Sequence, residues 1–127
     1  MTNEQHLARI NTQLAFRVSR ILDAMESLGF PMKIVSSVRT VAEQQKLYAQ
    51  GRTAPGPIVT NADGVMNKSK HQLGLAVDCA FIVNNVPSWD WRLPWIVYGT
   101  AAEALGLEWG GRWKKPVDSA HVELNEE

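Results

Sequence analysis

The sequence predicts an α+β domain in which a small, mainly antiparallel sheet packs with helices. Three observations lead there: an amino-terminal stretch with apolar residues three and four apart, two short β-branched runs far apart in the chain, and an element order of helix, strand, helix, loop, strand, helix, strand. At 127 residues the chain is expected to form one domain, residues 1–127, with a single hydrophobic core.

Leu7, Ile10, Leu14, Val18, Ile21, Met25 and Leu28 trace one face of a long helix. Thr2 with Gln5 can form a capping box at its start, and Gly29 ends it before Pro31. His6 falls off that apolar stripe and reads as a solvated residue. MKIVSSV reads as a buried strand that delivers Arg39 just beyond its end, and Thr40 with Glu43 caps a helix running to about Gln50. Arg39 therefore stands at a strand-to-helix junction, which holds a side chain firmly while leaving it exposed. GRTAPGPIVTNADGVMNKSK lacks periodicity and reads as a loop long enough to suggest function. LGLAVDCAFIV reads as a strand. WDWRLPWIVYGTAAEAL reads as a helix with Pro94 in its first turn and Gly106 as its stop, and a short strand over roughly His121 to Leu124 closes the chain.

Thirteen acidic and thirteen basic side chains balance and are scattered, so nucleic acid is not an expected partner. A lone cysteine, Cys79, lies in an apolar run and reads as a small buried hydrophobe. No stretch reaches the ~20 apolar residues of a membrane span, and the amino terminus lacks a signal-peptide core, so export by a conventional signal and stable membrane insertion are not expected.

The chemistry concentrates in SKHQLGLAVD. His71 and Asp78 would stand ~23 Å apart on an extended chain and ~10 Å apart along a helix, whereas two ligands of one zinc have donor atoms only ~3 to 4 Å apart. The chain must fold back between them, and Gly74 can make that bend. The pair alone is weak evidence, since a surface histidine and a strand-end aspartate are ordinary. His121 supplies a third candidate ligand, and Asp118, three residues before it, places a carboxylate nearby. Three ligands, an open position for water and a nearby base are what a catalytic zinc requires.

These residues carry a resemblance. Ser69, His71, Gly74, Ala76 and Asp78, then Asp118 and His121, fill every position of the signature Ser-x-His-x-x-Gly-x-Ala-x-Asp followed downstream by an acidic residue, two others and His. That signature belongs to the zinc D,D-peptidase and L-alanyl-D-glutamate peptidase group, which includes phage endolysins, VanY-type carboxypeptidases and VanX-type dipeptidases. RTVAEQQKLYAQGRT and LGLEWGGRW resemble the endolysin-type L-alanyl-D-glutamate endopeptidases more than the other branches. The resemblance implies a Hedgehog/DD-peptidase-like zinc peptidase fold, one zinc ion on His71, Asp78 and His121, and Asp118 as general base. It implies Arg39 as the substrate-carbonyl arginine, Gln44 as a substrate contact and Ser69 as a hydrogen-bonding neighbour. Asp118 stands where relatives often have Glu, and Ala120 and Val122 where they often have Pro and Phe. Trp109 and Trp113 flank Gly110-Gly111 and suit either a groove wall or the core.

The implied substrate is the peptidoglycan stem peptide, cut between L-Ala and D-Glu. The alternatives are a D-Ala-D-Ala carboxypeptidase or dipeptidase of the same group, and a zinc-bearing domain that binds wall peptide without cutting it. An enzyme of this kind is expected to be a monomer made in the cytoplasm, without a separate wall-binding module, and to reach the periplasmic wall through a holin-like release partner. Phage lysis and lysis-linked bacterial secretion fit the sequence equally.

Overall fold

Local sequence signals place most elements of the computed structural model, which describes residues 1–65, 69–114 and 116–125. The Thr2/Gln5 capping box forms and starts helix α1, Asn3–Leu7. The expected long helix is broken: α2 begins again at Thr12 and runs to Ser27. Asn11 causes the break. Its side chain accepts hydrogen bonds from the backbone of Gln13 and Leu14, while its own backbone N–H donates to the Gly74 carbonyl at 2.9 Å. The apolar stripe survives, with Leu14, Val18, Ile21 and Met25 essentially inaccessible to solvent.

Strand β1, Met32–Ser36, leads through Arg39 to helix α3, Val41–Ala49, which carries the expected Thr40/Glu43 capping box. Strand β2, Ala76–Val83, is the hub of the sheet. β1 pairs along one of its edges, and β3 (Val86–Ser88) and β5 (His121–Glu123) share the other, all antiparallel; β4, Glu108–Trp109, pairs outside β5. Two strands were not foreseen. β3 follows a two-residue hairpin in which Asn84 and Asn85 both take positive φ, 53° and 66°, the conformation that a tight twisted hairpin demands and asparagine tolerates. β4 is only two residues long, too short to leave a periodic signal.

Helix α4 spans Trp95–Ala104, shorter than expected, because residues 89–94 form a loop closed by Asp90. The Asp90 carboxylate accepts from the Arg92 backbone N–H at 3.0 Å, and its carbonyl accepts from Leu93 N–H and from the Trp95 indole. The core lies between α2, α4 and the sheet, with Tyr98, Phe81, Ile34, Val77 and Val122 among its most buried members. Cys79 belongs to this core, and burial pushes its thiol up to about 12, leaving it unreactive.

Candidate metal centre

Asp78 and His121 face each other directly in the β2–β5 pairing, so their side chains stand together on one face of the sheet. Across the other edge of β2, the β1 register shifts between Ile34 and Ser36. Such a bulge bends the strand locally and re-aims the residues beyond it, here Ser37 and Arg39. His71 arrives from a single helical turn over residues 69–74. Leu75 N–H donates to the Lys70 carbonyl and Gly74 N–H to that of His71, with Gly74 at φ 70°, the reversal that ends a helix with a left-handed glycine. This is the fold-back that the seven-residue spacing requires.

The three candidate ligands converge. His71 Nε2 lies 3.3 Å from Asp78 Oδ1 and 3.2 Å from His121 Nδ1, and His121 Nδ1 lies 3.2 Å from Asp78 Oδ1. A near-equilateral triangle of that size matches the edges of a tetrahedron around an ion with bonds of about 2 Å. The outer hydrogen bonds support the same conclusion. His71 Nδ1–H donates to the Ser37 carbonyl at 2.8 Å, and His121 Nε2–H donates to Glu123 Oε1 at 2.8 Å. Each ring therefore turns a lone pair toward the Asp78 oxygen, and three electron-rich atoms at such separations call for a cation among them. His71, Asp78 and His121 form a group able to hold a metal ion.

In the metal-free protein a proton partly fills that role. Burial works against the His121 imidazolium, but its hydrogen bonds to Asp78 and Glu123 and the nearby carboxylates win, raising its pKa from 6.5 to about 9. Burial also opposes the Asp78 anion, yet the two histidines hold its carboxyl far below the usual range.

Asp118 Oδ2 lies 4.0 Å from His121 Nδ1, and the carboxylate is about one-third exposed. Burial, with the Asp78 charge second, raises its pKa. The backbone under it is fixed at every residue. Asp118 N–H donates to the Gly110 carbonyl, the Trp109 indole to the Ser119 carbonyl at 2.8 Å, and the Tyr98 hydroxyl and Cys79 N–H to the Ala120 carbonyl. Gly110 is needed there, since a Cβ would strike the Asp118 carbonyl oxygen and come within 3.1 Å of the His121 Cβ. The departures at Ala120 and Val122 are accommodated: the Ala120 carbonyl is doubly held, and Val122 is fully buried.

Arg39 donates through Nη2 to Asp78 Oδ2 at 3.3 Å and through Nη1 to Gln44 Oε1 at 2.8 Å, leaving Oδ1 for the triangle. Gln44 is fully buried, and its amide N–H groups go to Thr60 Oγ1 and the Ala62 carbonyl. In this arrangement it ties Arg39 to the loop over residues 60–62 and does not face the groove. Ser69 accepts from Gln72 N–H at 3.4 Å and steadies the His71 turn. Arg39, Ser69, His71, Trp113, His121 and Glu123 line an open groove of about 290 Å³. The two tryptophans separate: Trp109 is buried against Gly99 and Gly111, whereas the Trp113 ring lies 4.8 Å from that of His121.

Three contributors escaped sequence reasoning. Glu123 orients His121 and could have been found from its place two residues on, on the same face of a strand. Ser37 orients His71 through its carbonyl, which no side-chain motif reveals. His6, expected to be solvated, is buried, with Nδ1 2.7 Å from Ser37 Oγ; burial lowers its pKa. The helix break at Asn11 lets α1 fold against β1 and carries it there.

Fold and site together give an antiparallel sheet that presents a His-Asp-His group able to hold a metal ion. The chain belongs to the VanY family, described as D-alanyl-D-alanine carboxypeptidase, whose profile matches residues 7–90; a second profile of the same description, Peptidase_M15_4, matches residues 63–124. The chain is 36% identical over 110 residues to the peptidoglycan L-alanyl-D-glutamate endopeptidase CwlK of Bacillus subtilis (strain 168), covering 80% of this chain and 65% of that protein. It is 31% identical over 119 residues to the L-alanyl-D-glutamate peptidase of Listeria phage A118, covering 91% of this chain and 37% of the phage protein. The chain thus spans about two thirds of one curated relative and little more than a third of the other. Among solved structures, the Serratia marcescens L-Ala D-Glu endopeptidase ChiX superposes with a TM-score of 0.68 at 26% identity, over 98% of this chain and 86% of that one. The vancomycin-resistance D,D-pentapeptidase VanY in complex with Zn(II) shares the fold, with a TM-score of 0.63 at 17% identity over 90% and 71%.

Proposed function

We propose that this chain is a zinc-dependent peptidoglycan hydrolase that cuts the L-Ala–D-Glu amide of the stem peptide. The observation that carries the chemistry is the 3.2–3.3 Å triangle of His71 Nε2, Asp78 Oδ1 and His121 Nδ1 with the Asp118 carboxylate 4.0 Å from its His121 corner. Two imidazoles and a carboxylate are a donor set that suits zinc. The choice of bond rests on the relatives named as L-alanyl-D-glutamate peptidases.

His71, Asp78 and His121 would hold the zinc ion, which when bound would supply Lewis acidity toward a water and a carbonyl oxygen. Asp118 takes the proton of the attacking water and returns it to the leaving amine; its backbone, fixed through residues 118–121, keeps the carboxylate in place between the two transfers. Arg39, held from behind by Gln44, has guanidinium N–H groups left to face the carbonyl oxygen as charge grows there, a contact commonly worth ~3 to 4 kcal/mol. Ser69 and Trp113 border the groove in which the peptide lies. A binding-only role would leave Asp118 without purpose beside the ligands. The site of action that accompanies this substrate is the cell wall, reached by a monomer through a holin-like release partner.

The matched family description favours one second reading, removal of a terminal D-Ala. Digestion of purified Gram-negative sacculi, zinc-loaded and chelated, separates the two by mass spectrometry. Peptides beginning with D-Glu, absent after chelation, are expected; release of free D-Ala instead would move the chain to the carboxypeptidase reading.

A further inference from the structure

Beyond the peptide groove lies a second concavity, of about 320 Å³, formed by Trp89, Trp91, Trp95, Val117 and the 118–120 segment. Asp118 lines it and also flanks the ligand triangle, with Oδ2 4.0 Å from His121 Nδ1, so this one residue links the concavity to the centre. Trp91 is 83% exposed and Trp89 56%, and among the described residues neither indole N–H has a protein partner. Burying a tryptophan normally stabilises a fold by far more than leaving it in water, so two on one loop ask for an explanation. Looseness does not provide one. Asp90, between them, accepts from Arg92 at 2.7 and 3.1 Å, receives the Trp95 indole on its carbonyl and donates a backbone bond to Ser88 Oγ. Trp95 in turn packs edge-on against Phe81 in the core, ring centres 4.7 Å apart. The loop is a braced platform holding two indoles outward.

We propose that this platform binds the sugar rings of the glycan strand from which the stem peptide hangs. The inference rests on the peptidase reading above, because the bond chosen there dictates where the sugar must be. On the acyl side of an L-Ala–D-Glu amide stands only L-Ala, joined directly to the lactyl group of N-acetylmuramic acid. The first sugar therefore lies within about two residue lengths of the reacting carbonyl, roughly 7 Å. A sugar held so close to the reacting carbonyl needs a surface that begins beside the centre, and the concavity does so at Asp118. Its chemistry fits as well: a pyranose offers an apolar C–H face to an indole and a rim of hydroxyl and acetamido groups, and the free indole N–H groups and the Asp90–Arg92 pair supply polar partners around the aromatic faces. A second copy of this chain is the less suitable occupant, since a stable interface covers about 800 Å² per partner and favours a core depleted of charge, whereas this patch has an ion pair on its loop and Asp118 in its lining.

The test combines binding and cleavage, using wild type and the Trp89→Ala/Trp91→Ala double variant, whose substitutions lie in exposed positions. Peptide-free glycan oligosaccharides, prepared with an amidase, are titrated by calorimetry. The wild type is expected to bind them and the variant at least about tenfold more weakly. In cleavage assays KM for glycan-linked peptide should rise by a similar factor, with kcat/KM for the free stem peptide unchanged. No binding by wild type, equal binding by both proteins, or equal loss on both substrates would overturn the proposal. Concentration-dependent self-association of the wild type, abolished in the variant, would overturn it in favour of a dimer contact. Tryptophan-dependent sugar binding without cleavage of either substrate would remove the peptidase reading and leave the glycan site standing.

Discussion

Replacing Glu123 by glutamine alters the centre without touching a ligand. The carboxylate is buried and accepts from His121 Nε2–H at 2.8 Å, fixing the tautomer that turns Nδ1 toward Asp78 and His71. Hydrogen bonds to a charged group contribute about 1.5–3 kcal/mol and neutral ones roughly half as much. Glutamine keeps the acceptor but loses the charge, so the metal should bind about 1–1.5 kcal/mol more weakly, close to tenfold in Kd. Glu123→Ala removes the acceptor too and should approach a hundredfold, at the upper end for such supporting groups. Competition with a chromophoric chelator, at one pH near neutrality, measures both, with thermal unfolding of the metal-free proteins as the control for general damage. Wild-type zinc affinity in Glu123→Gln would refute the reasoning, for it would mean that this hydrogen bond does not set the ring.

Asp118→Asn should lower turnover by at least about a hundredfold while zinc content stays at one per chain; near-normal rate at full metal content would remove Asp118 from its role. Gly110→Ala should behave differently, weakening metal binding and turnover together, since the new methyl displaces both Asp118 and His121; stability should fall by about 1–3 kcal/mol, read by denaturant unfolding. Zinc affinity should rise with pH. His121 in the metal-free protein carries its second proton up to about pH 9, so below that the metal must displace it, and Kd should improve by about tenfold per pH unit across the neutral range. A flat profile would contradict the raised His121 pKa.

How much of the fold and site the sequence discloses depends on the range of the interactions involved. The capping boxes at Thr2 and Thr40 and the helix stop at Gly106 are local, and the structure contains each of them. The fold-back at Gly74 was legible because bond lengths forbid the alternative. The break at Asn11 depends on a carbonyl 63 residues away, and the burial of His6 depends on Ser37; neither partner announces itself in a local window. The start of α4 was misplaced because Asp90 competes for the backbone of Arg92, a local effect that the apolar pattern of WDWRLPW masks. Glu123 was hidden by its type, since a glutamate near the end of a chain ordinarily reads as solvated.

The facing of Asp78 and His121 across β2 and β5 also bears on how the chain finds its shape. β5 is three residues long, and a slip of one position would send His121 into the core and Val122 out to the groove. Two partners 43 residues apart in sequence close a large loop and gain little from so short a ladder. An ion that bound only when both side chains stood on the same face would penalise every slipped pairing of β5, so the register of this short strand would be set by the centre as well as by the core.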